Sequence, residues 1–490
     1  MAPSRYSKLK RKVSLPDDVL IHLLKYLDPR SLFVVSKMFR RFRRLTMDFH
    51  LPRYKYELAR SGMKDGRVAL SMAPIVTRLH LLANHQKEWS HLTWTHEYKL
   101  QVATPSHSGV SGGILYQIRP HGTYSTLEIA ELPSARLGRS PAETRRLRMT
   151  TPPIETVCID PTQALIIGAH IFHQGGIVGI QLHFRDLWSF GQHPRASAES
   201  YQLPTQNTMP VARTAISVHG SKLVVTLHFV NGQINHLLMD WRNLGARWID
   251  DLGARLLDDD LLLVLCKKGG HAPVLNLCDI SDIATMSVIR QFELPPMWAH
   301  LMIEFCSNDS LYRPTPGALF QSDPVNRLLA LAAKPVQSVS GNSQSSWMFV
   351  NENYFRDAPM RRDYPLVPWT NWSQFVTVKD LSQHQGQLGR PFLVGSRVVY
   401  LEYMRPTTYL KIIEFAPFPD ASVRPDPSWV VMGHKSGLIP SEAKRRLSSS
   451  TTEHYGVDDI SISDDNVVLF LELQPGYRPI NVLTFGAPPA

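Results

Sequence analysis

Apolar residues follow two different rhythms along this chain. From Ser14 to Thr46 the spacing is helical: Leu20, Leu23, Leu24 and Leu27 recur at i, i+3, i+4 and i+7 and form one apolar stripe. Leu15-Pro16 opens that helix, because Pro lacks only an N–H that the first turn leaves unused. Asp17 and Asp18 follow, where the helix dipole favours negative charge. Asp28-Pro29 ends the helix and starts another, which carries Leu32, Phe33, Val35, Ser36 and Phe39. A third, rich in Arg, runs through Phe42 and Leu45. Helical spacing continues over residues 51–100. One short helix around Tyr54 ends at Ser61-Gly62, and another runs from Ile75 to Ser90 with Leu79, Leu82 and Trp89 roughly on one face.

At about Gln101 the rhythm becomes that of strands. A Pro-, Ser- and Gly-rich loop (Val102 to Gly113) leads into short β-type runs that continue to Phe485. Seven stand out: ILYQI from Ile114, ALIIGAHIF from Ala164, KLVVTLHF from Lys222, LLLVL from Leu261, RLLALAA from Arg327, SRVVYLEY from Ser396 and NVVLFLEL from Asn466. Each follows a tight-turn cluster, such as Asp160-Pro161, His219-Gly220-Ser221, Val394-Gly395 or Asp464-Asp465. Partner strands lie between, for example Gly176 to Phe184 and Gln233 to Trp241. Seven meander units predict a degenerate β-propeller of about seven blades; the alternative is a pair of β-sandwiches or another multi-sheet architecture. The fold class is therefore α+β multidomain. A basic tail (1–13, expected to be disordered) precedes a three-helix unit (14–50), a helical linker (51–100) and a large all-β domain (101–490). The Ser-rich stretch 440–456 is expected to be a mobile loop.

Charge changes this picture in one place. The chain carries 53 Lys/Arg against 42 Asp/Glu, a net +11. Residues 1–60 alone hold 15 against 5, or +10, so the other 430 are balanced to about +1. The cluster Lys8, Lys10, Arg11 and Lys12 suits a solvated tail, a nuclear address or a nucleic-acid contact. Nucleic-acid binding is not expected, because the Trp residues do not interleave with Arg and Lys as a strand-binding groove would. The four Cys (158, 266, 278, 306) have no CxxC spacing and sit in or near apolar runs, which suits free buried thiols in a reducing compartment. Neither a signal peptide nor a membrane span is expected, and the protein reads as nuclear or cytoplasmic.

Candidate chemistry is sparse. Gly109-Val-Ser-Gly-Gly113 matches G-x-S-x-G, but that motif needs a strand before it and a helix after it; here a loop precedes and a strand-like run follows. The 20 His show no ligand spacing: His91 and His96 are five apart, and HExxH and phosphate-loop motifs are absent. Asp258-Asp259-Asp260 and Asp464-Asp465 read as turns, where Asp bonds its own backbone. No catalytic residue, metal ligand or cofactor is expected, and the chain reads as a non-enzyme.

The helical unit is the informative part. About 35 residues in three short helices bury too little apolar area to stand alone. Each Leu of the stripe gains roughly 1.5–3 kcal/mol on burial, so the unit must dock on the β domain or on another protein. Its sequence resembles an F-box, on the strength of Leu15-Pro16, Val19-Leu20, Leu24, Leu27, Asp28-Pro29, Leu32, Ser36 and the Phe39–Arg44 segment. Met38 stands where Cys is common in that family, and RRFRRL meets its aromatic-Arg ending only loosely. The layout of RLHLLANHQKEWSHLTW, SGGILYQI and CIDPTQALII is similar to a group of fungal F-box proteins with propeller-like C-terminal parts. The resemblance implies that Leu15, Pro16, Val19, Leu20, Leu23, Leu24, Leu27 and Leu32 bind a Skp-type adaptor and, through it, a cullin scaffold. It further implies an SCF-type ubiquitin-ligase adaptor whose β domain holds an unknown protein substrate at its mouths and loops. The alternatives are an F-box scaffold or chromatin-linked factor outside a ligase, and a propeller enzyme with His, Asp and Glu clustered at its axis.

Overall fold

The computed structural model describes residues 15–486 apart from 67, 69–71, 106, 141–143, 150–152, 206, 267–272, 309–314, 336–344, 358–365, 382–386, 405, 418–427, 432–438 and 453–454. The basic tail 1–13 and its Lys8–Lys12 cluster lie outside the described residues. Five helices come first: α1 (Asp17–Tyr26), α2 (Pro29–Met38), α3 (Arg40–Asp48), α4 (His50–Arg60) and α5 (Ile75–His91). Asp28 caps α2 by accepting from the backbone N–H of Arg30 and Ser31, both at 3.0 Å. Gly62, with φ +66°, follows α4 and turns the chain out of the helix.

Among the described residues, the chain from His96 on forms seven mainly antiparallel sheets, or blades, each with a four-stranded core: blade 1 (107–149), blade 2 (156–204), blade 3 (211–249), blade 4 (253–293), blade 5 (301–380), blade 6 (392–446) and blade 7 (457–484 with 96–103); further strands add at the edges of blades 4, 5 and 6. The seven apolar runs of the sequence are the second strands of these sheets, and the turn clusters before them are the links from first to second strand. The sheets close into a propeller, and the core shows it directly. Seven apolar clusters each join two neighbouring blades, from Ile114–Ile159 contacts between blades 1 and 2 round to Val110, Leu115, Phe470 and Val482 between blades 7 and 1. Leu165 and Ile167 face blade 3 while Ile166 faces blade 1. Inner strands are thus buried on both sides, which is why they read as continuous apolar runs rather than alternating ones.

Two boundaries differ from the sequence reading. The β domain begins at His96, not near Gln101: His96–Ala103 pairs antiparallel with Tyr477–Thr484 as the outermost strand of blade 7 and closes the ring. The stretch expected to be a mobile loop, 440–456, instead begins with the outer strand of blade 6 (Ile439–Arg446), paired with Thr407–Ala416 from Ala416↔Ile439 to Tyr409↔Arg446. Both are outermost strands with one face in water, so polar residues are tolerated and the apolar signal disappears. Gly112 and Gly113 (φ +54° and +77°) form the two-residue turn between Ser111 and Ile114, so the G-x-S-x-G match lies in a hairpin.

The helices dock on one face of the ring. Met63–Asp65, which follows α4, pairs antiparallel with Phe320–Ser322. Tyr54 Oη donates to Asp65 Oδ1 at 2.9 Å, and the buried Arg78 pairs with the same oxygen at 3.0 Å. Trp89 of α5 is fully buried and stacks on Phe485 with centroids 4.1 Å apart. Arg445 of blade 6 donates to the Leu92 carbonyl at 2.6 Å. Beneath α5, Arg136 of blade 1 bonds Asp465 (2.8 Å), Asp464 (3.0 Å) and the Phe320 carbonyl (2.9 Å). His85 Nε2 donates to the Asp464 carbonyl at 2.9 Å. Burial, then the Arg397 guanidinium, lowers the His85 pKa to about 3, so its 3.6 Å approach to Asp465 is no ion pair. Asp464 and Asp465, read from sequence as turn residues alone, are therefore also the anchor between blades 1, 5 and 7 and the helices.

Trp89→Ala is expected to cost about 3–5 kcal/mol, read from denaturant unfolding of the whole chain. Acid provides a second check. Burial holds His85 neutral down to about 3 and, with burial again the largest cause, His183 and His236 down to about 4. The unfolded chain protonates these groups near 6.5, so it binds more protons than the native state between about 6.5 and 4. Stability should therefore fall as pH drops through that window, by up to about 1.4 kcal/mol per pH unit for each histidine. Urea midpoints that do not fall between about pH 7 and pH 5 would contradict the neutral burial.

Candidate functional site: an exposed apolar face on the helical unit

The helical unit has a small core of its own. Leu20, Leu24, Leu32, Phe33 and Leu45 pack with Tyr56 and Ala59 of α4, so the fourth helix completes the unit. Phe33 stacks on Tyr56 at 4.9 Å, and Ser36 Oγ bonds Thr46 Oγ1 at 2.8 Å inside it. Asp17 ties α1 to α3 through Arg41 (2.5 Å) and Arg44 (2.9 Å). Arg41 also donates to the Leu15 carbonyl at 2.6 Å, which fixes the Leu-Pro entry to α1. Lys55 Nζ caps the other end of α1 through the carbonyls of Lys25 (2.6 Å) and Leu27 (2.9 Å).

The eight residues assigned to partner binding therefore separate into two groups. Leu20, Leu24 and Leu32 are buried in the unit's core, so they hold the helices together and offer no surface, while Leu27 packs against that core and stays partly exposed. Leu15, Pro16, Val19 and Leu23 are exposed, the three large ones at 44–47%. Tyr26, at 75%, extends the same line, since 19, 23 and 26 fall at i, i+4 and i+7 on α1. Val34, Met38 and Phe39 on and after α2 are also exposed. The sequence reading missed these last four. The signal was there in α1, which carries two adjacent apolar stripes where one would suffice for packing.

Among the described residues, the ring's other face carries the turns between second and third strands of blades 1, 2, 3 and 7 and blade-to-blade links. It carries exposed Ile177, Met209, Val230, Leu252, Met297 and Leu473. A cavity of about 630 Å³ opens there on blade 3, lined by Asn207, Gln233, Asn235, Asp250 and Asp251 among others. Near the innermost strands, burial and then Arg390 lower the Arg213 pKa, with Asp459 and Glu304 opposing. That is a mixed set of charges, not a cationic cluster. Among the described residues no group of three or more His, Cys, Asp or Glu is placed to hold a metal ion, and no helix is long and apolar enough to cross a membrane. All four cysteines are free thiols; burial pushes the Cys278 thiol up to about 11 and that of Cys306 up to about 12.

A small helical unit with an uncovered apolar face, carried on a propeller, is the build of an adaptor protein. Residues 13–54 match the F-box domain family, and F-box domains in general bind Skp-type adaptors. The chain thus carries an F-box domain followed by a seven-bladed propeller. No curated protein matches its sequence. Among solved structures it is similar to the β-propeller domain of the trilobed protease from Pyrococcus furiosus, at 9% identity over 78% of this chain and 93% of that one, TM-score 0.42. It is also similar to the WD40 domain of SCAP from fission yeast (9% identity, 82% and 96%, TM-score 0.35) and to Sqt1 from Chaetomium thermophilum (10%, 76% and 79%, TM-score 0.35). Likeness at this level carries no functional argument, and the fold rests on the sheets themselves.

The division of the leucines has a direct test. Val19→Asp with Leu23→Asp should abolish capture of a Skp-type adaptor while the melting curve stays within about 0.5 kcal/mol of wild type, because both sites are solvated. Leu24→Ala should instead destabilise the helical unit by about 2–5 kcal/mol. Adaptor binding that survives the double Asp variant would place the interface elsewhere.

Proposed function

We propose that this chain is the substrate-recruiting F-box subunit of an SCF-type cullin–RING ubiquitin ligase. The observation that carries the reading is the uncovered apolar face of Leu15, Val19, Leu23 and Tyr26 on an F-box whose other stripe is already consumed by its own core. The adaptor covers that face and brings the cullin with it. The propeller presents the substrate on its open face, opposite the helices, where the exposed apolar residues lie. The chain performs no bond chemistry in this scheme; other subunits transfer ubiquitin. Its contribution is proximity, since tethering raises the effective concentration of substrate lysines near the charged carrier. The site of action is the nucleus or cytoplasm.

The fixed docking of the helices matters for this mechanism. Strand pairing at Met63–Asp65 and the Trp89–Phe485 stack hold the F-box at one orientation to the ring. A tether of fixed geometry holds its cargo at one distance, whereas a loose linker spreads it over many.

Affinity capture with the proteasome blocked tests the reading. Wild type should retain adaptor, cullin and a set of ubiquitin-modified proteins. The Val19→Asp, Leu23→Asp variant should keep the same proteins, unmodified, and lose adaptor and cullin. Substitution is preferable to deleting residues 1–50, because deletion would uncover Tyr56 and Ala59. Adaptor captured without cullin would overturn the ligase role in favour of an F-box scaffold acting elsewhere.

A further inference from the structure

A second concave site lies at the junction itself. A cleft of about 640 Å³ opens where α2, α4 and α5 meet blade 6. Three helices contribute cations to its lining, all of them exposed: Lys37 from α2, Arg53 and Arg60 from α4, and Lys87 from α5. His50, His80 and His91 line it as well. Two carboxylates are present, and both are engaged. Glu57 pairs with Arg60 at 3.3 Å, and Glu414 with Arg397 at 2.6 Å. Lys37 stands 5.6 Å over the Phe33 ring but has no carboxylate partner, and neither do Arg53 or Lys87, among the described residues. In the same wall the buried amide nitrogen of Gln86 has no acceptor among the described residues. Ser396 and Ser441 supply hydroxyl groups from the blade 6 side.

An ordinary solvated basic surface spreads its charges apart. Here three uncompensated cations from three separate helices share one concavity with an orphaned donor, and the volume is that of a small-molecule site. Such a site repels itself when empty and gains on taking a multiply charged anion. Guanidinium and ammonium groups are the pair that recognise phosphate oxygens, the first through its planar fork and the second as a point charge. The enclosure between helices and blade suits a compact ligand rather than an extended peptide. We propose that the cleft binds a small polyphosphorylated anion, which bridges the F-box helices to blade 6. The ligand would add to the docking that the strand pairing at Met63–Asp65 and the Trp89–Phe485 stack already provide.

Calorimetric titration of the full chain, purified with its adaptor at physiological salt, tests this with three probes: inositol hexakisphosphate, metal-free ATP and inorganic tripolyphosphate. At least one should bind saturably at a single site, and the ranking identifies whether inositol phosphate, nucleotide or polyphosphate is the source. Arg53→Ala with Lys87→Ala should weaken that binding by about tenfold or more. Arg53→Lys with Lys87→Arg should largely retain it, and Arg247→Ala, on blade 3, should leave it unchanged. Melting curves of the variants separate loss of binding from loss of fold. The proposal is overturned if no probe binds saturably, if the double Ala variant binds like wild type, or if a poly-glutamate peptide binds as tightly as the best probe.

Discussion

Closure of the ring by a strand from the far end of the chain is the constraint on which the rest of this molecule depends. His96–Ala103 lies outermost on blade 7, paired from His96↔Thr484 to Ala103↔Tyr477. Without it the sheet of blade 7 would have three strands, and nothing would tie the early part of the chain to the last blade of the ring. Whatever precedes that strand must therefore emerge at the ring's rim beside blade 7. Only Leu92 to Thr95 separate it from α5, so α5 has little choice but to lie over the face where the strand begins. Trp89 on Phe485, His85 against the Asp464 carbonyl and Arg445 on the Leu92 carbonyl are the contacts that this placement permits.

From that constraint the two functional surfaces separate without further design. The helices occupy the face that carries the turns into the second strands, through Phe320–Ser322 of blade 5, Arg445 of blade 6 and Asp464 of blade 7. On the opposite face the described loop residues include exposed apolar ones, such as Ile177, Val230 and Leu473. The helical unit and these exposed loop residues thus lie on opposite faces of the ring. The buried pair of Arg136 and Asp465, with Asp464 partly exposed beside it, makes the junction specific, since removing one partner would strand a charge in the interior. The basic cleft lies at the same junction, where a ligand would add to the docking rather than act on either surface.

How much of this was legible in the sequence follows from which faces are buried. Each of the seven second strands is sandwiched between two neighbouring blades, so both of its faces are apolar and the run is conspicuous. The outermost strands His96–Ala103 and Ile439–Arg446 carry HEYKLQVA and IPSEAKRR, which read as linker and loop, because their pairing partners lie elsewhere and half of each faces water. The helical unit was legible through its caps and its Leu spacing. The division between core and surface leucines was not, because α4 takes Leu20 and Leu24 by a tertiary contact that periodicity does not encode. The same holds for Asp464 and Asp465: their turn role is local and visible, their hold on Arg136 distant and silent.

The central claim is that the exposed stripe of α1 is the adaptor-binding surface of an F-box held rigidly on a propeller. Hydrogen exchange on the full chain, alone and with a saturating Skp-type adaptor, tests it most directly. New protection is expected over residues 15–27 and 34–39, with no change at Met63–Asp65 or on the face of the ring opposite the helices. A stable complex that leaves α1 exchanging as in the free chain would contradict it.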